Sequence, residues 1–79
     1  MAQVVYVVEI CLDFGEWSAK GIYQNVDAAL QNAKYRSSLC GGMEYLDIHR
    51  LTKANQTGVR ARWADKYGYW VQVKEYPVI

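Results

Sequence analysis

The stretch "VVYVVEICL", Val4 to Leu12, constrains the fold more than any other part of the chain. Five of its nine residues are valine or isoleucine. Two substituents on Cβ stiffen a side chain at χ1 and favour extended backbone over helix. The run also has the length of a strand, not that of a stable helix. Alternation puts Val4, Tyr6, Val8, Ile10 and Leu12 on one face and Val5, Val7, Glu9 and Cys11 on the other. A strand apolar on both sides belongs in the middle of a sheet.

The segment "DFGEW" then predicts a turn around Gly15. Glu16 to Tyr23 reads as the returning strand of a hairpin, with Trp17, Ala19, Gly21 and Tyr23 on one side. Gly21 weakens that strand and marks a bulge or a close approach by the helix. "QNVDAALQNAKYRSSLCGG" carries the helix. Asn25 is a suitable N-cap, because its side-chain oxygen can accept from free amides of the first turn. Asp27 falls where the helix dipole favours a negative charge, and Lys34 and Arg36 lie toward the opposite end. Val26, Ala29, Leu30 and Ala33 recur at helical spacing, and the two alanines allow close packing on a sheet. Gly41 or Gly42 supplies the left-handed residue that ends the helix.

Tyr45 to Thr52 alternates again and predicts a third strand, and "KANQTG" reads as a polar loop. Val59 to Trp63 fits a fourth strand with Val59, Ala61 and Trp63 facing in and Arg60 and Arg62 facing out. A short helix also fits residues 59–66, because Val59, Trp63 and Tyr67 recur every four residues; the strand is the preferred reading. Tyr69 to Tyr76 is a final strand, closed by Pro77. The expected architecture is a single α+β domain over residues 1–79. It is an antiparallel sheet of four to five strands in the order β-β-α-β-(β)-β, with one helix on one face and the other face partly open.

Composition bounds what such a domain can do. A chain of 79 residues buries only about 60–65% of the surface its unfolded form exposes. Its seven tyrosines and three tryptophans are too many rings for one helix and a few strands to enclose, so some are expected at the surface as contact residues. Net charge is +1, unevenly spread. Residues 1–33 hold Lys20 against Glu9, Asp13, Glu16 and Asp27, and residues 34–79 hold eight lysines and arginines against four carboxylates. That asymmetry can steer a charged partner. "MAQVVYVVEI" lacks the basic start and long apolar run of an export signal, so Cys11 and Cys40 are expected as thiols in a reducing cytoplasm. No stretch has the length of apolar residues that a membrane helix needs.

Reactive groups do not converge in the sequence. The one histidine, His49, has Asp47 two residues away, about 7 Å along a strand and too far for a close hydrogen bond. Cys11, Cys40 and His49 lack metal-ligand spacing, and Gly41-Gly42 follows a helix instead of opening one, unlike a phosphate loop. Asp13 and Glu16 flank a turn and read as its charged residues. The expectation is a protein without catalytic centre, metal or cofactor.

The richest constellation is "VRARWADKYGYW". Arg60, Arg62 and Lys66 alternate there with Trp63, Tyr67 and Trp70, with Tyr69 beside them. Arginine pairs bidentately with carboxylates or phosphates. Exposed rings fill pockets on a partner or stack on bases. Arg60, Arg62, Trp63, Lys66, Tyr67 and Trp70 are therefore the expected contact surface, displayed together on one ribbon and extended by Arg50 and Lys53.

The elements "VYVVEI" and "KGIYQNVDAALQNA", within residues 5–33, resemble small bacteriophage and mobile-element accessory proteins. The resemblance implies a ββαβ-type fold with no known catalytic residues. It also implies a non-enzymatic binder that occludes a host protein, including inhibitors of CRISPR or other defence complexes, working in the host cytoplasm as a monomer or homodimer. Two further classes fit the same residues. One is a nucleic-acid-binding module, which salt would weaken steeply through counterion release. The other is a structural subunit that assembles through exposed strand edges.

Overall fold

The computed structural model describes residues 3–13, 16–51 and 53–78. Strand β1 (Gln3–Asp13) and strand β2 (Glu16–Tyr23) form the first hairpin, followed by helix α1 (Val26–Leu39). A short strand β3 (Glu44–Leu46), a 3-10 turn (Ile48–Arg50) and a one-turn helix α2 (Lys53–Gln56) lead to β4 (Val59–Ala64) and β5 (Trp70–Val78). The strands make one antiparallel sheet in the order β2-β1-β5-β4-β3. The helix carries the chain from one sheet edge to the other and covers one face on the way. This is the α+β layout expected from the sequence, with five strands.

The run Val4 to Leu12 lies centrally, as its two apolar faces require. β1 pairs with β5 without interruption from Gln3↔Val78 to Cys11↔Trp70. On the helix side, Val8, Ile10, Val71 and Val73 meet Ala29 and Ala33, with Tyr6, Tyr23, Leu30, Met43 and Trp63 around them. The two alanines are fully buried and bring the helix backbone close to the sheet. Each buried valine contributes about 1.5 kcal/mol or more.

The helix begins at Asn25, whose Oδ1 accepts from the amides of Asp27 (2.8 Å) and Ala28 (3.2 Å). It ends at Cys40, followed by Gly41 and Gly42 with φ of 61° and 77°. Both cysteines are free thiols, Cys11 buried and Cys40 exposed.

Several local expectations are corrected. The third strand stops at Leu46, because the Asp47 carboxylate accepts from the His49 backbone amide at 3.0 Å and turns the chain into a 3-10 helix. Asp47 and His49 are therefore joined by a cap. The "polar loop" contains α2. Residues 59–64 are strand, not helix, and Asp65 and Lys66 lie beyond it in the β4–β5 turn. β5 runs through Pro77 to Val78. Proline is tolerated there because β4 no longer pairs beyond Lys74, so no ladder bond needs its missing N–H. The turn at Gly15 and the side chains of Asp13 and Glu16 lie outside the described residues.

Two bulges matter most. In β2, Val8 pairs with Gly21 and Glu9 with Ala19, which leaves Lys20 as the extra residue. Trp17 and Ala19 therefore lie on the open face and Gly21 and Tyr23 on the helix side, not all four together. Gly21 makes room for the Tyr23 ring, not for the helix: a Cβ there would stand 2.8 Å from Tyr23 Cε2. In β4, Val59 pairs with Lys74 and Ala61 with Val73, so Arg60 is extra. A bulge sends residues on its two sides to faces that plain alternation would not assign.

Candidate functional site: the open face of the sheet

The face without a helix is built by the odd-numbered residues of β1 and the even-numbered residues of β5. Register aligns Arg62, Gln72, Glu9 and Ala19 in one row across four strands. Trp70, Cys11 and Trp17 form the next row, and Lys74, Val7 and Ile22 the row on the other side. Glu9 is 3% exposed and Gln72 4%. Both sit in central strands, under the longer side chains around them.

These buried polar groups are joined. Gln72 Nε2 donates to Glu9 Oε1 at 2.7 Å, and the Tyr76 hydroxyl donates to Glu9 Oε2 at 2.7 Å. Tyr76 pairs with Val5 in the register, so its ring must lie along the sheet to reach Glu9. On the far side of Gln72, its Oε1 accepts from Arg62 Nε at 2.8 Å and from Arg62 Nη2. The Arg62 guanidinium also lies over the Trp70 ring, 4.7 Å from the centroid. Gln72 is the hinge of this chain: its amide turns an acceptor to the cation and a donor to the carboxylate. No buried side-chain polar atom is left without a partner among the described residues.

The electrostatics follow from this arrangement. Burial pulls the Arg62 guanidinium below its usual range, opposed chiefly by the charge of Glu9. Burial, the hydrogen bond to Glu9 and the negative charge of Glu9 together push the Tyr76 hydroxyl up to about 12. Tyr76 is thus held as a neutral donor to the carboxylate across the physiological range. Among the described residues, Arg60–Glu75 is the one ion pair, so Arg62 meets an amide where a carboxylate would be its strongest partner.

Around the row lies a shallow cavity of about 210 Å³ lined by residues including Trp17, Val59, Arg62, Trp70 and Lys74. The same face exposes Trp17 (57%), Ile22 (69%) and Val78 (45%). Trp and Tyr rings beside an arginine are the composition of interface anchors.

The six residues expected to form one surface are dispersed. Arg62 and Trp70 are on the open face. The bulge puts Arg60 on the helix side, paired with Glu75 at 3.2 Å and 6.0 Å from the Tyr6 ring centroid. Trp63 packs against the core from that side, edge-on to Tyr45 at 5.5 Å. Lys66 and Tyr67 sit in the exposed β4–β5 turn, which Asp65 organises by accepting from the Tyr67 and Tyr69 amides. Arg50 lies in the 3-10 turn and Lys53 in α2, so neither extends a strand surface.

Sequence reasoning missed Glu9, Gln72, Tyr76 and Trp17 as parts of one site. A signal was available: Glu9 and Gln72 each place a polar side chain inside an otherwise apolar strand, an arrangement that requires partners. Only the β1–β5 pairing shows that they are each other's partners. No family model matches the chain, nor does any curated protein or solved structure.

Proposed function

We propose that this protein is a non-enzymatic binder of another protein, and that it acts by covering a site on that partner with the open face of its sheet. One observation carries the reading. The face uncovered by the helix presents exposed Trp17, Ile22 and Val78, and Trp17 shares a cavity with an arginine already fixed by Gln72 and Trp70. Ordering long side chains is a main cost of association, and fixing them beforehand lowers it. Exclusion from a partner's site needs no reactive group. On the resemblance of residues 5–33, the partner would be a host protein such as a component of a defence complex. A nucleic-acid groove is less well supported. Backbone tracking requires a run of cations, whereas Arg60, Lys66, Arg50 and Lys53 lie on other parts of the molecule.

A photo-crosslinking amino acid placed at Trp17, Ile22, Tyr35 or Tyr67, followed by irradiation in a nuclease-treated cell lysate, tests this. A discrete protein adduct from positions 17 and 22, weak or missing from 35 and 67, is the expected pattern. Adducts confined to Tyr67 would move the interface to the turn. Adducts that form in an untreated lysate but not in the nuclease-treated one would replace the reading with nucleic-acid binding.

A further inference from the structure

We infer that the open face recognises an acidic segment of its partner, with Arg62 receiving an aspartate or glutamate carboxylate and Trp17 and Trp70 receiving the residues beside it. This inference rests on the open face being the binding surface. Three features of the molecule lead to it.

The first is the incomplete pairing of Arg62. Its Nε and Nη2 are held by one amide oxygen and its ring face by Trp70. Among the described residues, Nη1 has no hydrogen-bond partner and no carboxylate lies within ion-pair distance of the guanidinium. This half-buried cation touches only a neutral acceptor, and the Glu9 charge acts on it from beyond Gln72, so its lost hydration is not made good by a directly paired carboxylate. An incoming carboxylate supplies that pairing at a guanidinium whose orientation is already set.

The second is the sign of the face. Its described cations are Arg62 and Lys74, the latter 5.2 Å from the Tyr76 ring centroid. Its described carboxylate is Glu9, which is buried with both oxygens occupied. Among the described residues, the side chains this face offers a partner are therefore positive and aromatic. Charge complementarity selects an acidic occupant and disfavours a second copy, which would bring the same sign. The third is the shape of the site. The cavity over the row is small, with Trp17 and Trp70 as walls. Its volume of about 210 Å³ is on the scale of one side chain.

The probes are a random glutamate–tyrosine copolymer, polyglutamate, and a single-stranded oligonucleotide of matched charge. The readout is the Arg62 Nε–H and the Trp17 and Trp70 indole N–H signals in ¹H–¹⁵N spectra. The copolymer is expected to shift all three signals and to bind more tightly than either other probe. Arg62→Gln and Lys74→Glu should each weaken it by about tenfold or more, while Arg62→Lys loses the fork but keeps the charge and falls between. Lys74→Glu leaves the Arg62 row intact, so the test stands even if Arg62→Gln disturbs folding. Stronger shifts by the oligonucleotide, or none by any probe at millimolar concentration, overturn the inference. If Arg62→Gln and Lys74→Glu bind the copolymer like the parent while Trp17→Ala does not, the acidic specificity is wrong and the open-face reading survives.

Discussion

Glu9 is the residue on which the open face turns. A carboxylate in the middle of a central strand is costly unless its oxygens are satisfied. Here Gln72 and Tyr76 satisfy one oxygen each, from 63 and 67 positions away in the chain. Tyr76→Phe leaves one oxygen short of its donor, and water can partly replace it because the ring is only half-buried. The expected loss is about 1.5 kcal/mol, the lower end for a hydrogen bond to a charged group, measured by urea unfolding of the two proteins. The pH dependence has a definite sign. The folded hydroxyl titrates at about 12 against 10.0 for an unperturbed tyrosine. Between those values the unfolded chain has lost the proton that the folded chain keeps. The advantage over Tyr76→Phe is therefore complete below pH 10 and declines as pH rises through about 12. An advantage that grows on the alkaline side would contradict the Tyr76–Glu9 bond.

At the scale of elements, the two bulges decide which face each side chain serves. Alternation in "VRARW" puts both arginines on one side. With Arg60 as an extra residue, Arg60 turns to Glu75 and Tyr6, and Arg62 to Gln72 and Trp70. The start of β4 shows why this strand is placed as it is. Gly58 has a φ of 76°, its carbonyl accepts from the Glu75 amide at 2.7 Å, and a Cβ there would stand 2.9 Å from the Glu75 carbonyl oxygen. Gly41 shares the positive φ, but a Cβ there would meet open space. Gly41→Ala should cost about 1 kcal/mol for the left-handed backbone alone. Gly58→Ala should cost clearly more, since backbone must also move. Thermal melts of both variants check the order, and equal losses would show that the β4–β5 crossing tolerates a side chain.

For the whole molecule, sheet and charge together set how it meets other molecules. The edge strands β2 and β3 are poor templates for pairing: β2 is bulged at Lys20 and β3 has three residues. In a face-to-face dimer the described cations of the open face, Arg62 and Lys74, would oppose their own copies. Sedimentation at micromolar concentration is therefore expected to give the mass of a single chain at low and high salt. A dimer dissociated by Trp17→Ala would show that the face binds itself. The described chain has a Cα radius of gyration of 12.1 Å, close to the value of about 12 Å for a compact domain of this length.

Local chemistry determined much of this protein. The β-branched run made a central strand, Asn25 capped the one long helix, and the small residues Ala29 and Ala33 marked its buried side. All of these depend on neighbours within a few positions, which a linear reading can see. The site depended on something else. Glu9, Gln72 and Tyr76 meet because the first and last strands lie side by side, and Arg60 parts from Arg62 because one residue of β4 has no opposite number in β5. Pairing across more than sixty positions and the loss of a single step in register leave no periodic trace in the chain, so only the assembled sheet could decide them.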